Sequence, residues 1–449
     1  MLLILITTMK IKSLIIVMLT LIALLGSIFS GNLKAKRNID DIHLAGGSMT
    51  TFNRSFSAFE IPAEGLSDKE LKHHIETDPL FGRSHIPLND HKNAGLGPLL
   101  NANSCAACHV LNGRGRPVHG ESLFRVSLNK GKGDEPVPGI GFQLQDRAIY
   151  GHEPEATVVR KWIEEGNLVK LDSIIKTPDG EILQKEKVAR SLRIPPPLIG
   201  LGLLEAIPER DILMNEDIED KNNDGISGKA VRVKDENGID RLGRFGWKAT
   251  SASLHQQTVD AYNEDMGITT PIGPQLNRTR ENDPADISWE ELDGVTYYSQ
   301  TLGAPASANK LNTKIVSSGF KVFNQLRCVS CHIPKQNTGF NPKAVASVIN
   351  NQEIWPYTDL LVHDMGEGLD DGVAEHGLTK TFEWRTPPLW GLGLTKRVNH
   401  YVGFLHDGRA RNIEEAILWH GGEAEASKNK YISLSKNKKA QLLAWLNQL

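Results

Sequence analysis

Cys328-Val329-Ser330-Cys331-His332 is the stretch around which the chain is organised, and Cys105-Ala106-Ala107-Cys108-His109 repeats its pattern earlier in the sequence. The chain has 449 residues and four cysteines, and all four cysteines belong to these two motifs. Each motif separates two thiols by two residues and places a histidine directly after the second thiol. A function for either motif therefore has to use two thiols and an imidazole together.

The C-x-x-C-H pattern is the attachment signature of a c-type haem. Two thiols at this spacing can add to the two vinyl groups of one porphyrin, and the adjacent histidine can reach the iron as its proximal ligand. A zinc site would need both pairs close enough to share one ion. A thioredoxin-like redox pair would not need a histidine after each copy. The sequence therefore predicts two covalently bound haem c groups, with iron bound by His109 and His332.

The composition is that of an ordinary globular protein. Hydrophobic residues make up 39% of the chain and charged residues 23%, and the formal net charge is −3. These values are typical of soluble domains, and the small net charge gives no reason to expect nucleic-acid binding. The length suggests two or three domains.

The N-terminus resembles an export signal. Lys10 and Lys12 precede an apolar run from Ser13 to Phe29, which is the pattern of a charged n-region followed by an h-region. The run is also close to the minimum length that spans a bilayer. We therefore expect residues 1–31 to be a signal peptide or an anchor in the inner membrane. The body of the protein is expected in the periplasm, with no other membrane contact.

The rest of the chain divides by composition. Residues 32–75 are polar and are expected to form a linker, followed by an N-terminal haem domain over 76–303. A Pro- and Ala-containing linker begins at the boundary, and a C-terminal cytochrome c-like haem domain is expected over 304–449. Alternating apolar and polar residues predict a β-rich insertion in the first domain at about 120–190. The predicted fold is mainly α, with two cytochrome c-like haem domains and this insertion.

One loop resembles the first half of a calcium site. Asp220, Asn222 and Asp224 offer oxygen ligands at positions 1, 3 and 5, and Gly225 stands at position 6, as in a calcium-binding loop. The glutamate expected at position 12 is Val231 instead. An Asx-rich turn explains the same residues equally well, so Ca²⁺ and a simple turn both remain open.

Two arginines follow the first motif in a glycine-rich loop. Arg114 and Arg116 lie beside Gly113 and Gly115. Such guanidinium groups can pair with the propionates of a haem. They can equally point into solvent, and the sequence does not decide between these interpretations.

The function of each haem depends on the second axial position of its iron. A haem whose iron is closed by a protein ligand can only pass electrons, whereas an open iron can bind peroxide or dioxygen. Downstream of the second motif, the candidate ligands are His363, Met365, His406 and His420, and spacing alone does not choose among them. After the first motif the nearest candidate is His119, in a Pro- and Gly-containing loop.

The C-terminal part carries a resemblance to a known family, strongest in Phe404-Leu-His-Asp-Gly-Arg-Ala-Arg-Asn-Ile-Glu-Glu-Ala-Ile-Leu-Trp-His420. The chain resembles the bacterial di-haem cytochrome c peroxidase superfamily from about residue 70 onward, and is most similar to its di-haem "thiol oxidoreductase-like" peroxidases. The cytochrome c peroxidases of this superfamily have the axial methionine of the electron-accepting haem at the position where this chain has His420. The resemblance thus implies a bis-histidine second haem, as in the related rubber oxygenases. Because no histidine follows the first motif at the family's spacing, the resemblance also implies a first iron that is open or weakly closed. Exchange of methionine for histidine usually lowers the reduction potential.

A second part of the resemblance covers the middle of the chain. Trp247 and Gln257 have the spacing found in the peroxidases around the tryptophan that lies between the two haems. Asp265 stands where the family has its catalytic glutamate, and Glu264 is the alternative acid. The resemblance implies that Trp247 carries electrons, and that one carboxylate takes a proton from peroxide and returns it to the leaving oxygen. An aromatic residue packed in an interface and a solvated acid are the plainer interpretations.

These observations predict a periplasmic di-haem oxidoreductase. It would reduce hydrogen peroxide at the first haem, with electrons from a periplasmic donor protein entering through the second haem. One alternative is an oxygenase similar to the rubber oxygenases, which would use dioxygen and an apolar channel lined by Phe245 and Trp247. The other is an electron-transfer cytochrome without enzymatic activity. A thiol oxidoreductase is not expected, because no cysteine lies outside the two motifs.

Overall fold

A computed structural model describes residues 44–87, 93–129, 133–166, 168–235, 237–273, 284–308, 314–375 and 378–449. The signal peptide or anchor predicted over 1–31, and the first part of the predicted linker, lie outside these residues. Among the described helices, none has the length and apolar character needed to cross a bilayer.

The described helices are mostly short, and several begin at a serine that caps them. Ser253 accepts a hydrogen bond from the backbone N–H of Gln256, and Ser435 accepts one from Lys438, as N-cap residues do. The α-helices are Asp68–Phe81, Cys105–Cys108, Leu201–Glu205, Glu209–Leu213, Leu254–Asp260, Trp289–Thr301, Lys314–Gln325, Thr395–Asn399, Ile413–Trp419, Glu425–Ile432 and Lys436–Leu446, and Leu254–Asp260 continues as the π-helical turn Ala261–Asp265. The 3₁₀ turns are Gly47–Met49, Val110–Asn112, Cys328–Ser330, Ser347–Ile349, Glu367–Leu369, Leu392–Leu394 and Gly422–Ala424.

The described strands form seven small sheets. One three-stranded sheet has the order Gln143–Leu144, Leu123–Leu128, Val188–Arg193, and another has the order Thr157–Glu165, Leu168–Lys176, Ile182–Leu183. The two-stranded sheets pair Thr50–Thr51 with Ala304–Pro305, Leu99–Leu100 with Arg147–Ala148, Arg232–Lys234 with Asp240–Leu242, Gln336–Asn337 with Glu353–Ile354, and Val362–Asp364 with Glu383–Arg385.

The predicted mainly α fold of two cytochrome c-like domains is therefore wrong, because strands occur throughout the described chain. Both three-stranded sheets lie between 123 and 193, where alternation in the sequence predicted strands. The five two-stranded sheets lie partly or wholly outside that region. Strands of two or three residues are too short to show a period-2 pattern, and their partners are often distant along the chain. The fold is better described as mixed, with short helices and many small sheets.

The second motif lies at the end of a closely packed helix pair. Lys314–Gln325 packs against Lys436–Leu446, and a Cβ atom at Gly319 would lie 2.1 Å from the carbonyl oxygen of Gln441. Only glycine permits such a close approach of two backbones. Phe323 stacks near Trp445 at 4.7 Å between ring centroids. This apolar contact positions the chain that leads into Cys328.

Residues on both sides of the predicted domain boundary take part in the same compact unit. Ile42–Leu449 cluster together by contacts, and Ala304 pairs with Thr50 in a parallel ladder. A division into 76–303 and 304–449 stays a prediction.

A buried ion-pair network joins the end of one strand to a loop far along the chain. Arg193 contacts Asp371 at 2.7 Å and Glu375 at 2.8 Å, and its side chain is only 6% exposed. Lys248 lies 3.5 Å from Asp371. Burial alone would raise the pKa of Glu375, but Arg193, Arg125 and Lys248 lower it to about 2. The Glu375 carboxylate is thus held in the charged form.

Removal of Arg193 is expected to destabilise the protein strongly. Arg193→Ala leaves Asp371 and Glu375 buried without their main partner, which costs about 3–5 kcal/mol of unfolding free energy. Arg116→Ala is the matched control, because Arg116 pairs with Glu121 while 52% exposed, and such surface pairs contribute about 0–1 kcal/mol. Denaturant titration of both holoproteins measures the difference. Similar losses in the two variants would contradict the buried-network interpretation.

Candidate functional site

A cavity of about 510 Å³ lies beside the first motif, and Cys105, Cys108 and His109 are among its lining residues. The motif begins as a short helix capped by Ser104, whose hydroxyl accepts the N–H of Ala107 at 3.1 Å. Burial raises the pKa of Cys105 to about 12, which keeps the thiol neutral and does not suit a reactive redox pair. The volume falls within the roughly 300–1,000 Å³ typical of small-molecule and cofactor sites.

The residues that the resemblance singled out lie around this same cavity. Trp247, Gln257, Glu264 and Asp265 all line it together with the first motif. They are more than a hundred residues from Cys105 in sequence, so the tertiary structure brings them together. Their individual roles stay predictions.

The two candidate acids have different partners. Glu264 forms an ion pair with Arg125 at 2.8 Å. Asp265 accepts a hydrogen bond from Nε2 of Gln143 at 2.7 Å. Burial raises the pKa of Asp265 to about 6, although the Gln143 hydrogen bond acts in the opposite direction. Both acids belong to the π-helical turn Ala261–Asp265, and such turns are frequent at functional sites.

Three residues of the site, Asp260, Arg125 and Gln143, were not predicted from the sequence. Asp260 lines the cavity, and burial, followed by the charge of Glu264, raises its pKa to about 7. Its position one helical turn before Glu264 was a signal that could have identified it. Arg125 and Gln143 approach the acids from a sheet, and nothing local in the sequence indicates those contacts.

The cavity lining includes the buried Arg385 and the half-buried Arg114, neither of which pairs with an anion among the described residues. Arg114 donates to the carbonyl oxygens of Gly403 at 3.0 Å and Leu405 at 2.6 Å. Arg385 likewise donates to backbone carbonyls. Both line the cavity, burial lowers the pKa of each to about 10, and neither has a carboxylate within salt-bridge distance among the described residues.

A porphyrin fits this lining. A buried guanidinium without an anion is costly, and the propionates of a haem are anions that arginine pairs with readily. Arg114 is thus placed for the propionate contact that its loop suggested. Arg116 is not, because it pairs with Glu121 and does not line the cavity.

Trp247 lines the cavity of the first motif and also packs against an apolar cluster of the C-terminal part of the chain. Its Nε1 donates to the carbonyl oxygen of Ile194 at 2.8 Å, and Arg114 lies 5.4 Å from its ring centroid. The ring also packs against an apolar cluster that includes Trp384 and Trp419. Trp419 directly precedes His420, so Trp247 contacts elements associated with both motifs.

His332 and His420 face each other across a gap. Their ring centroids are 6.5 Å apart, and two imidazoles that bind one metal from opposite sides, with bonds of about 2 Å, have centroids roughly 6 Å apart. Nδ1 of His332 bonds the carbonyl of Tyr357 at 3.0 Å, and Nδ1 of His420 bonds that of Ala416 at 2.7 Å. Among the described residues, neither Nε2 atom has a hydrogen-bond partner, so both are available to a metal in the orientation that such second hydrogen bonds impose.

The competing ligands of the second haem are less suitable. Nε2 of His363 contacts Asp359 at 2.9 Å and its Nδ1 contacts Glu423 at 2.6 Å. Burial alone would lower the pKa of His363, but these carboxylates raise it well above its usual value. His406 stacks on Trp384 at 3.8 Å.

The two remaining candidate haem ligands, Met365 and His119, also contact other groups. Met365 packs against the apolar cluster of Trp384 and Trp419. His119 lies 3.3 Å from the carbonyl of Asp146 and does not line the cavity of the first motif. The geometry therefore supports His420 for the second haem and leaves no described histidine besides His109 at the first.

The loop that resembles a calcium site forms Asx turns. The carboxylate of Asp220 accepts the N–H groups of Asp224 at 2.8 Å and Gly225 at 3.0 Å, and Asn222 also accepts from Asp224. Asp224 pairs with Arg327, which directly precedes Cys328. The loop is thus joined by an ion pair to the residue that precedes the second motif. Binding of a calcium ion by this loop stays a prediction.

Comparison with known proteins identifies one family. The model of the family described as "Di-haem oxidoreductase, putative peroxidase" matches residues 39–134 and 169–449. Both C-x-x-C-H motifs lie in the matched parts, as do Trp247, Glu264, Asp265 and His420. No curated protein and no solved structure matches the chain.

Proposed function

The chain belongs to the family described as "Di-haem oxidoreductase, putative peroxidase", and on that premise we propose that it reduces hydrogen peroxide at its first haem. The match confirms the resemblance to the di-haem peroxidases, and it makes the chain an oxidoreductase with haem cofactors. The observation that carries the finer proposal is the single cavity shared by the first motif and the carboxylates of the π-helical turn.

The reaction needs both electrons and protons. Hydrogen peroxide takes up two electrons and two protons, its O–O bond breaks, and two water molecules form. A haem supplies, when bound, an iron to which peroxide can bind and through which electrons arrive. The protein has to supply a group that removes a proton from one peroxide oxygen and delivers it to the other.

Asp265 suits this proton transfer better than Glu264. The Glu264 carboxylate is already engaged in an ion pair with Arg125 at 2.8 Å. Asp265 has a neutral partner, and burial raises its pKa to about 6. A group with a pKa near the working pH can both accept and return a proton. We therefore assign Asp265 as the catalytic acid and base, and Glu264 as the ion-pair partner of Arg125.

The second motif supports electron uptake. His332 and His420 would close the second iron from both sides, so this haem would accept electrons without binding peroxide. Trp247, which contacts the cavity and the cluster next to His420, is the proposed route between the haems. A donor protein in the periplasm would supply electrons one at a time. Covalent attachment to the cysteine pairs and export through residues 1–31 belong to the same proposal.

The two alternatives have less support. The oxygenase alternative gives no role to the carboxylates of the π-helical turn, which line the same cavity as the first motif. Phe245 does line this cavity, as the oxygenase alternative requires. An electron-transfer cytochrome needs a second ligand at the first iron. The described lining offers no second histidine, and its methionine, Met266, packs in an apolar cluster with Tyr262.

Peroxide titration of the purified holoprotein tests the function. We expect a high-spin ferric signal from the first haem and a low-spin signal from the second. One equivalent of hydrogen peroxide should oxidise both haems of the fully reduced protein anaerobically. Two low-spin haems that do not respond to peroxide would overturn the proposal. Oxidation by dioxygen with incorporation into an added polyisoprene would favour the oxygenase instead.

A further inference from the structure

The two acids of the π-helical turn are each held by one member of a cross-strand pair. Arg125 in Leu123–Leu128 and Gln143 in Gln143–Leu144 are directly opposite each other in an antiparallel ladder. Arg125 binds Glu264 at 2.8 Å, and Gln143 binds Asp265 at 2.7 Å. One sheet therefore presents a cation to one acid and a neutral amide to its neighbour.

The Gln143 side chain has a defined orientation. It is 4% exposed, and its Nε2 lies 2.9 Å from Oδ1 of Asn101 and 3.1 Å from the carbonyl oxygen of Glu264, in addition to Asp265. All three neighbours are hydrogen-bond acceptors, so the NH₂ end of the amide has to face them. A flipped amide would bring its oxygen against three other oxygens.

The backbone of Asp265 is held independently of its carboxylate. Its carbonyl oxygen accepts the N–H groups of Asn101 at 2.7 Å and Ala102 at 3.1 Å, in the segment that leads into the first motif. This contact fixes the position of the Cα atom, and the hydrogen bond from Gln143 fixes the direction of the carboxylate. Removal of Gln143 would therefore free the carboxylate and leave the backbone in place.

Gln143 lies in the part of the chain that the family model does not match, between residues 134 and 169. We propose that Gln143 is a positioning residue that holds the Asp265 carboxylate at the first haem site. The unmatched segment thereby adds a contact to the site that the family description does not assign. The inference rests on the proposed function, in which Asp265 moves the proton.

Loss of this contact has a definite sign. The hydrogen bond from Gln143 favours the ionised form of Asp265, and burial opposes it. Without the donor the pKa of Asp265 rises, so a higher pH is needed before the carboxylate can accept a proton. The acidic limb of any rate that needs this base should move upward by about one pH unit, the effect of one lost hydrogen bond to a carboxylate.

The experiment compares two neighbouring glutamines in the holoprotein. Gln143→Leu removes the donor to the carboxylate. Gln145→Leu is the matched control, because Nε2 of Gln145 reaches only the carbonyl oxygen of Glu264, at 3.1 Å, on the same turn. We expect the acidic limb of kcat for peroxide to move upward in Gln143→Leu and to stay in place in Gln145→Leu.

Cyanide binding by the ferric protein supplies a readout that needs no turnover. Hydrogen cyanide binds iron as cyanide and gives up its proton, so the same base should set the pH dependence of the binding rate. If the wild type does not turn over peroxide, the proposed function fails, but the cyanide profile still tests the role of Gln143. An unchanged cyanide profile in Gln143→Leu, or equal shifts in both variants, would overturn the inference.

A second variant covers the case in which Gln143→Leu does not accumulate as holoprotein. Gln143→Asn keeps an amide, but it is one methylene shorter and does not reach the carboxylate at the present backbone position. It should shift the cyanide profile in the same direction. A wild-type profile in Gln143→Asn would count against the contact.

Discussion

Asp265→Asn should lower kcat for peroxide reduction by about 10²–10⁴-fold, the usual contribution of a positioned acid and base. Asparagine has nearly the same shape as aspartate, but it cannot accept the proton of peroxide. Because the ionised carboxylate starts the reaction, the wild-type rate should fall as pH drops below about 6, the raised pKa of Asp265. The variant should lose this acidic limb. Stopped-flow kinetics over a pH series, with haem content and spectra compared, measures both effects.

The neighbouring acid provides the control for this result. Glu264→Gln removes the partner of Arg125 but leaves Asp265 with its hydrogen bond from Gln143. We expect a much smaller loss of kcat and a retained acidic limb. An Asp265→Asn protein that keeps both its wild-type rate and its acidic limb would exclude Asp265 as the acid and base. A larger loss in Glu264→Gln would transfer the role to Glu264.

His420→Met should raise the reduction potential of the second haem and leave the first haem unchanged. The axial ligand of a haem sets its potential over a range of about 0.8 V, and we expect a shift on the order of 0.1 V for this exchange. The reason is that a thioether stabilises ferrous iron better than an imidazole does. Spectroelectrochemical titration, with the two haems followed separately, measures the shift.

Met365→Leu is the matched control for the ligand. Met365 packs in the apolar cluster of Trp384 and Trp419, so its replacement should leave both potentials in place. A shift of the second haem in Met365→Leu, together with no shift in His420→Met, would assign the ligand to Met365. Changes at both haems in either variant would indicate a general structural disturbance.

Features that depend on neighbouring residues could be predicted from the sequence. The C-x-x-C-H motifs are one case, because covalent attachment of a haem needs only two thiols and a histidine at a fixed local spacing. Both three-stranded sheets lie in the region where period-2 alternation predicted strands. Such alternation is likewise a local property of the sequence.

The fold class could not be predicted in this way. Thr50–Thr51 pairs with Ala304–Pro305, and Val362–Asp364 pairs with Glu383–Arg385. Each of these strands is too short to show a pattern, and the partner is chosen by packing elsewhere. The prediction of a mainly α chain counted the periodic segments and missed these pairings.

The sequence by itself determined the two C-x-x-C-H motifs and the pair of neighbouring acids, Glu264 and Asp265. Only the tertiary structure distinguished the acids, by placing Arg125 against Glu264 and Gln143 against Asp265. It also turned His363 toward two carboxylates and His420 toward His332. The physical reason is that a pKa, or the availability of a ligand nitrogen, depends on burial and on partners brought in from distant parts of the chain.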